Sequence, residues 1–528
     1  MANEFPHSTC LNRNQPFLCI TVTERLKSIK PFLTRYSPNV QSSPSKTNKQ
    51  PYIPSMDVNE ITRAEQTQVQ WAWFETLTSG DGLKAIYTLA SSFNNGRPCV
   101  GGYYDSGGCV RMGGYNMSFL VEFDDGTKWV VRFPMIGAIA RELVDEKLKT
   151  EVATMMFLSE KTTIPIPELI GYGLTGNPHH PKGLPFLIMT YIHGKTLRKI
   201  WKDLDDAAKD KIYEQLADIS IQLRSQSFDR VGALTLDNRN RWSLSNRPLT
   251  RPLASLQRDG IAVRMDSYYK SASEYFAAYF GHHRRRFIEQ PNSTDELSDA
   301  REKYAGLSLF EELIPRYVVR EYDEGPFVLC HGDFHQPNLL LNDDFRVVAV
   351  LDWEWSCVLP IQVACLPPVC LSPLKMEELA LGEGRDDFLD AAEKFLHHLG
   401  EKECSTFGER TISIMLKEMM SNGGYWFGQA IQDIYNFEYL FWDNLFPAVH
   451  RMSERDAIDL VFNSPEHRSA EETIQRKLRQ NDEYKEKLRV FRVIAFGTTL
   501  KLTHLAETPI ARYLREDAQK RRGRESLL

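Results

Sequence analysis

Several features are scarce in this chain, and each absence excludes a class of protein. No apolar run approaches the ~18 residues that a membrane-spanning helix needs, so we expect no membrane span. Lys and Arg number 64 against 70 Asp and Glu, a net charge of -6, whereas a nucleic-acid-binding domain would be clearly basic. The nine cysteines form no CxxC pair, which favours reduced thiols in an intracellular protein over a disulfide framework or a zinc site.

Acidic residues are also nearly absent from the first 56 residues. That stretch holds seven Lys or Arg but only Glu4 and Glu24 as acids, and it is rich in Ser, Asn, Pro and Gln. The composition is typical of a disordered tail, and it also fits a mitochondrial transit peptide. No clear Arg-bearing amphipathic helix opens the chain. We therefore expect a cytoplasmic protein with a tail over 1–56, and a mitochondrial location stays open as the alternative.

The 528 residues exceed what one compact core usually holds, so we expect at least two lobes. A small β-rich lobe is predicted over 57–191. Its clearest element is a hairpin, in which apolar residues alternate on two strands around the turn Asp124-Asp125-Gly126. These alternating residues are Phe119, Val121 and Phe123, followed by Trp129, Val131 and Phe133. One helix and two further strands complete this lobe.

Beyond residue 191 the pattern becomes mainly helical. The predicted helices cover 203–225, 265–290, 294–317 and much of 374–528. We divide this part into a larger lobe over 192–450 and a C-terminal helical extension over 451–528.

A second hairpin interrupts the helices within 328–356, which reads VLCHGDFHQPNLLLNDDFRVVAVLDWEWS. The parts NLLL and FRVVAVL predict two antiparallel strands, closed by a turn at Asn342-Asp343-Asp344. We place Leu341 opposite Arg346. This register decides which polar residues meet at the open end of the strand pair.

The predicted register places Asn338 near Ala349 and Asp352 near His335, with Asp333 in the loop just before the first strand. Oxygen ligands grouped in this way suit Mg²⁺, which typically uses one or two carboxylates together with substrate phosphates. Phosphoryl transfer needs such ligands and also a carboxylate that receives the proton of the attacking hydroxyl. The alternative is that these Asp and Asn residues only form turns.

The sequences HGDFHQPN and LDWE resemble the aminoglycoside phosphotransferase family, which is related to the protein-kinase fold. The resemblance implies an α+β, two-lobe kinase-like fold with the nucleotide between the lobes. It also implies that Asp333 is the catalytic base, that His331 supports its loop, and that Asn338 and Asp352 hold Mg²⁺. The chain departs from many members after Asp352, where it lacks their Gly-Asp-Pro, and it is more similar to long fungal-type members.

The same resemblance assigns roles in the small lobe. Arg132 in WVVRFP takes the place of the strand lysine that binds nucleotide phosphates in kinases, and Glu151 on the next helix is its expected partner. The alternative for Arg132 is a solvated residue at a sheet edge. Gly113, Gly114 and Asn116 belong to a turn whose backbone N–H groups are expected to lie over the phosphates.

The last nucleotide contact is expected in the segment IMTYI, which includes Met189 and Tyr191. By resemblance this is the hinge between the lobes, where adenine binds to the backbone. We therefore expect an ATP- and Mg²⁺-dependent phosphotransferase that acts on a hydroxyl of a small molecule. The alternative is a non-catalytic kinase-like protein that binds a nucleotide or a partner. The choice of ATP over GTP, the acceptor and the oligomeric state stay open.

An aromatic stretch over 425–446 allows two interpretations. It mixes Tyr, Trp and Phe with Asp433, Glu438 and Asp443. Such a stretch is able to form a cage for a cationic amine through cation–π contacts. It is more typical of a helical core whose acids face solvent.

Overall fold

A computed structural model describes residues 59–104, 108–266 and 268–496. The predicted tail over 1–56 and the end of the predicted C-terminal extension lie outside these residues. Two helices, α1 (Glu60–Thr78) and α2 (Gly80–Ser92), open the described chain. The side chains of Asn59 and Ser79 each accept a backbone N–H of the first turn, which supplies a partner to a donor that has none inside the helix.

The small lobe is built on one antiparallel sheet. Its strands are β1 (Cys99–Gly101), β2 (Val110–Met112), β3 (Asn116–Phe123), β4 (Lys128–Pro134), β5 (Leu169–Gly173) and β6 (Phe186–Thr190). The strand order is β1-β3-β4-β6-β5, and β2 also pairs with β3. Helix α3 (Val144–Lys161) follows β4 and contacts β5.

The β3–β4 hairpin has the predicted alternation. Phe119 lies opposite Val131, and Val121 lies opposite Trp129. All four side chains are buried, in a core that they share with side chains of α1 and α2. Burying a large apolar side chain stabilises a fold by about 1.5–3 kcal/mol, so this face holds the small lobe together. Gly126 has φ +83° in the turn, a conformation that glycine adopts without strain.

The larger lobe is mainly helical. Its helices are α4 (Leu197–Ile200), α5 (Asp206–Ser225), α6 (Arg251–Arg258), α7 (Ala272–Glu289), α8 (Leu297–Tyr317), α9 (Ile361–Ala364), α10 (Met376–Ala380), α11 (Arg385–Phe407), α12 (Ile412–Asn422), α13 (Gly424–Gln432), α14 (Phe437–Leu440), α15 (Phe446–Val449), α16 (Glu454–Asn463) and α17 (Ala470–Phe496). The helices predicted over 203–225, 265–290 and 294–317 correspond to α5, α7 and α8. Helix α7 begins at Ala272, later than predicted.

This lobe also contains short strands. They are β7 (Lys195–Thr196), β8 (Ser227–Phe228), β9 (Ala233–Leu236), β10 (Trp242–Asn246), β11 (Phe327–Cys330), β12 (Leu339–Leu341), β13 (Val347–Val350) and β14 (Cys357–Pro360). They form two three-stranded sheets, β13-β12-β7 and β14-β11-β8, and a separate β9–β10 hairpin.

The β9–β10 hairpin was not predicted. The register of its strands shifts between Leu244 and Asn246, which breaks the alternation that identifies a strand. Both strands pack on helix α3 of the small lobe. The hairpin therefore depends on a contact between distant segments, which no local pattern records.

The second predicted hairpin is β12–β13, but its predicted register was wrong. Leu341 lies opposite Val347 instead of Arg346, and Leu340 lies opposite Ala349. The pairing is displaced by a bulge between Leu340 and Leu341 and by a wider turn, in which Phe345 has φ +61°. Asn338 consequently lies beside Leu351, whose N–H donates to its carbonyl oxygen over 2.8 Å.

The aromatic stretch over 425–446 is core. Its buried side chains are Tyr425, Phe427, Phe437, Phe441, Trp442 and Phe446. Asp433 accepts the backbone N–H groups of Tyr435 and Asn436 and so stabilises the turn after α13. The rings pack on each other and on helix α8, which leaves no open cage at these positions.

The described chain thus has the predicted α+β architecture with two lobes, and helix α1 contacts both. Glu60 N–H donates to Tyr484 Oη of α17 over 2.8 Å, and Gln66 Nε2 donates to Arg258 O over 3.0 Å. None of the described helices combines the length and apolarity required to cross a bilayer. The proposed limits of the lobes at residues 191 and 450 remain predictions.

Candidate active site

The loop between β11 and β12 carries Asp333. It is held close to the segment after β13 by Gly332, whose φ is +75°. A Cβ at this position would lie 2.2 Å from the carbonyl oxygen of Trp355. Only glycine allows this approach, so the loop and the segment that follows Asp352 are in direct backbone contact.

His331 is joined to this loop and to the residue after β13 by two hydrogen bonds. Its Nε2 donates to Leu351 O over 2.8 Å, and its Nδ1 accepts the Asp333 N–H over 3.3 Å. The ring is buried against Trp353, with centroids 4.5 Å apart. Burial lowers the pKa of His331 to about 4, so the ring stays neutral near pH 7 and keeps both hydrogen bonds.

Asn338 and Asp352 both lie at the open end of the β12–β13 hairpin, where Leu351 N–H donates to Asn338 O. The Nδ2 of Asn338 donates to Asp333 O over 2.9 Å, so its Oδ1 is the atom that a ligand would use. Asp352 has φ +68°, an uncommon conformation for a residue other than glycine. Strain of this kind costs on the order of 1–3 kcal/mol and often occurs at functional sites.

Arg132 reaches this site from the middle of β4. Its guanidinium forms an ion pair with Glu151 of α3 and a second one with Asp352, where Nη1 and Oδ1 are 2.9 Å apart. Burial opposes the charge on Arg132, but the neighbouring carboxylates raise its pKa. Burial also opposes the charge on Glu151 and so raises its pKa, while the neighbouring Arg132 lowers the pKa of Glu151. The expected partners are therefore together, and Arg132 is a buried residue instead of a solvated edge residue.

A second ion pair on α3 was missed by sequence analysis. Lys147, one helical turn before Glu151, pairs with Glu354, which follows Asp352 by two residues. Asn116 completes the group: its Nδ2 donates to Glu354 over 2.6 Å and its Oδ1 accepts from Lys147 over 3.3 Å. The only signal in the sequence was the helical spacing of Lys147 and Glu151.

The glycine turn lies between β2 and β3. Gly113 N–H donates to Asn116 O over 2.9 Å, and the space beside Gly114 is open, since a Cβ there would meet no atom within 4 Å. Because the Asn116 side chain is buried in the group described above, any phosphate contact of Asn116 would come from its backbone. Tyr115 packs edge-on against Trp355, with centroids 4.9 Å apart, which connects the turn to the Asp352 segment.

The predicted hinge follows β6. Met189 lies opposite Val130 in the sheet, and its side chain packs under α3. The N–H of Tyr191 donates to Lys128 O over 3.0 Å, so in this arrangement it is not a donor for adenine. Whether this segment binds a base stays a prediction.

Arg251 was also missed. It is the first residue of α6, and its Nη1 lies 3.5 Å from Asp333 Oδ1. His335 approaches the same carboxylate oxygen to 3.6 Å through its Nδ1. Arg251 is about half exposed, and its position next to Asp333 depends on how the lobe folds.

The donors at the hairpin end fit Mg²⁺ better than a transition metal. Asp352 and Asn338 offer oxygen atoms, and Mg²⁺ typically takes one or two protein oxygens and completes its shell with water and phosphate. Across the described ranges there is no cluster of three His, Cys, Asp or Glu side chains of the kind that binds zinc.

Comparison with known proteins gives one family. Residues 110–362 match the model of the phosphotransferase enzyme family. The matched segment contains the glycine turn, both ion pairs of α3 and the whole β12–β13 hairpin. The resemblance predicted from HGDFHQPN and LDWE is therefore confirmed for this segment.

The curated relatives match only parts of the chain. "Altered inheritance of mitochondria protein 9, mitochondrial" of Zygosaccharomyces rouxii is 34% identical over 133 residues, which cover 24% of this chain and 21% of that protein. "Clavilactone A biosynthesis cluster protein Y" of Ampulloclitocybe clavipes is 26% identical over 267 residues, covering 49% and 62%. The chain thus spans about a fifth of the first relative's length and less than two thirds of the second's.

Solved structures resemble the chain at low identity. A complex of APH(2")-IIia with GDP and kanamycin has a TM-score of 0.36 and 13% identity, and the match covers 72% of this chain and 92% of that one. Macrolide 2'-phosphotransferase type I has a TM-score of 0.33 and 13% identity, covering 70% and 98%.

Proposed function

Because residues 110–362 match the phosphotransferase enzyme family, we propose that this protein transfers the γ-phosphate of ATP to a hydroxyl of a small molecule, assisted by Mg²⁺. One observation carries the proposal. Arg132 of the small lobe contacts Asp352, while Asn338 and Asp333 are joined by a hydrogen bond in the adjoining loop. The residues proposed as the phosphate-binding cation, the metal ligands and the base therefore form one connected group.

Each residue has a distinct part in this proposal. Asp333 accepts the proton of the acceptor hydroxyl and orients its oxygen toward the γ-phosphate. Asn338 and Asp352 would hold Mg²⁺, which supplies charge to the phosphate oxygens when bound. Arg132 binds a phosphate, and Glu151 keeps the guanidinium in place. His331, neutral and buried, fixes the loop and takes no proton.

The deciding experiment measures ATP consumption by the full chain with Mg²⁺ across a panel of small hydroxyl compounds. Asp333→Asn keeps the size of the side chain but removes the base, so turnover should fall by ~10² to 10⁴-fold with nucleotide affinity nearly unchanged. Asp343→Asn is the matched control, since Asp343 is an exposed carboxylate in the turn of the same hairpin. If the parent is active and Asp333→Asn is equally active, the assignment of Asp333 as the base is wrong.

A second candidate is a protein that binds a nucleotide without transferring phosphate. The direct contact between Arg132 and Asp352 favours it, because the arginine takes a carboxylate oxygen that a metal ion would use. This alternative predicts Mg²⁺-independent nucleotide binding and no product with any acceptor. Mg²⁺-dependent turnover of one hydroxyl compound would exclude it.

The location of the protein is also open to proposal. The relative from Zygosaccharomyces rouxii is named as mitochondrial, and residues 1–56 of this chain are basic and poor in acids. We propose a mitochondrial location, in place of the cytoplasmic one expected first. A fluorescent protein carrying residues 1–56 should reach mitochondria, and its even distribution in the cytoplasm would restore the first expectation.

A further inference from the structure

A cation beside the candidate base calls for an explanation. Arg251 lies 3.5 Å from Asp333, and a guanidinium that is always protonated neither accepts nor relays the proton of the acceptor hydroxyl. Proton transfer therefore gains nothing from Arg251. Its place beside Asp333 makes sense if another group with negative charge passes through the same space.

The start of α6, which carries Arg251, is fixed by buried hydrogen bonds. Thr250, the residue that precedes α6, is buried, and its hydroxyl lies 2.7 Å from Tyr279 Oη. Tyr279 in turn donates to Gln432 O over 3.0 Å, which connects α6 to α7 and α13. The backbone of Arg251 is thus held by a buried chain of hydrogen bonds, while half of its side-chain surface is exposed.

The contact with Asp333 leaves N–H donors of the Arg251 guanidinium for another ligand. At 3.5 Å the contact is longer than a strong charge-assisted hydrogen bond, which measures about 2.7–2.9 Å. Arginine carries five N–H donors in a planar fork that fits phosphate oxygens. Asp333, Tyr115, Asp433 and Glu377 raise the pKa of Arg251 against the effect of burial, so the side chain keeps its charge.

In the proposed reaction the acceptor oxygen lies about 2.6–3.2 Å from Asp333, and the transferred phosphoryl group is its next neighbour in line. A cation 3.5 Å from the same carboxylate is within reach of that group. We propose that Arg251 is a catalytic residue that binds oxygens of the phosphoryl group during transfer; this rests on the proposed function. The acceptor oxygen bonds to the γ-phosphorus, the bond to the β–γ bridging oxygen breaks, ADP leaves, and Asp333 receives the proton.

The other anion that Arg251 is placed to bind is a charged group of the acceptor. Such a group would approach a site where the negative charges of Asp333, Asp433 and Glu377 act on one arginine. The charge of the phosphoryl group would instead be offset by Mg²⁺, which Asn338 and Asp352 would hold, and by Arg132. The charges in the cleft therefore favour the phosphoryl group.

The test uses the full chain and ADP with Mg²⁺ and aluminium fluoride, which imitates the phosphoryl group during transfer. Calorimetry compares the affinity for ADP with and without aluminium fluoride in the parent, Arg251→Gln and Arg251→Lys. Aluminium fluoride should increase the affinity of the parent for ADP. Arg251→Gln should lose ~10² to 10³-fold of that gain while its affinity for ADP alone stays the same. Arg251→Lys should lose less, because it keeps the charge without the fork.

Arg241→Gln is the control, since Arg241 is an exposed arginine in the β9–β10 turn and should bind like the parent. If aluminium fluoride still tightens ADP binding by Arg251→Gln, the proposal is overturned, and Arg251 would be assigned to binding the acceptor. Absence of tightening in a parent that binds ADP would also overturn it, while leaving nucleotide binding intact. A parent that binds no nucleotide would instead refute the proposed function.

Discussion

Helix α3 carries two ion pairs one turn apart, and they differ in what surrounds them. Arg132 and Glu151 adjoin Asp352, whose side chain is 29% exposed, so this pair lies beside a partly exposed carboxylate. Lys147 and Glu354 are 1% and 2% exposed, and their further polar contact is Asn116. In the proposed reaction, the first arrangement lets Arg132 exchange a carboxylate for a phosphate. The second connects the end of the glycine turn to the Asp352 segment, and its side chains are buried.

The comparison also shows why the two pairs depend differently on their partners. Arg132 contacts two carboxylates, so it keeps one if Glu151 is neutralised. Lys147 has Glu354, the amide oxygen of Asn116 and the ring of Trp355 5.4 Å away. A buried charge without a charged partner is strongly unfavourable.

The largest effect is expected from neutralising the buried pair. Glu354→Gln keeps the shape of the side chain but leaves the charge of Lys147 uncompensated, so the free energy of unfolding should fall by about 3–5 kcal/mol. Glu151→Gln should cost less, about 1–3 kcal/mol, because Arg132 retains Asp352. Urea denaturation of both variants measures the difference. The double variant Lys147→Gln/Glu354→Gln should recover part of the loss, and equal losses in the two single variants would remove the distinction.

The next effect concerns the nucleotide. Arg132→Gln removes a charged contact to phosphate worth about 1.5–3 kcal/mol, so the affinity for Mg²⁺-ATP should fall roughly 10- to 100-fold. Lys147→Gln removes the same charge from the buried pair and should change the affinity little. Calorimetry at a temperature where both variants are folded compares them. The assignment of Arg132 to the phosphates fails if both variants bind like the parent.

A smaller effect is expected from pH. His331 packs on Trp353, the residue between Asp352 and Glu354, and its pKa is lowered from 6.5 to about 4. The unfolded chain takes up its proton first as the pH falls, so the stability from the neutral ring is present above pH 6.5 and is lost toward pH 4. Between pH 7 and pH 5 the parent should lose about 2 kcal/mol more than His331→Asn. Parallel stability profiles of the two proteins would contradict this.

The smallest effect calibrates the others. Lys195 and Asp343 form an ion pair on the surface of the β12–β13 hairpin, with 64% and 89% of their side chains exposed. Water screens such a pair, so Lys195→Met should leave the melting temperature unchanged. A clear decrease in melting temperature would show that exposed ion pairs stabilise this fold. That contribution would then have to be subtracted from the losses of stability assigned to the buried pair.

The recognisable parts of the site are short and local. Asp333, Asn338 and Asp352 lie within one hairpin and the loop before it, so their proximity follows from a turn and two strands. Arg132 and Glu151 were predicted as partners by resemblance, and the structure brings them together. Their roles in binding and catalysis are still predictions.

The missed residues come from distant segments. Lys147 and Glu354 meet only because α3 packs against the end of the β12–β13 hairpin, and Arg251 reaches Asp333 only because α6 begins there. The register of the hairpin was also missed, since a bulge changes which residues face each other without changing the composition of the strands.

The sequence by itself determined the hairpins, most of the long helices and the resemblance of residues 110–362 to the phosphotransferase enzyme family, because apolar periodicity and a short motif are local properties of the chain. Only the tertiary structure decided which charges become buried. A lysine or glutamate has the same side chain in water and in a core, and its partner is chosen by which elements pack around it. Glu354 is buried through its contact with the small lobe, and that burial gives it the proposed effect on stability. Arg251 is placed beside Asp333 by the packing of α6, and that position gives it the proposed contact with the phosphoryl group.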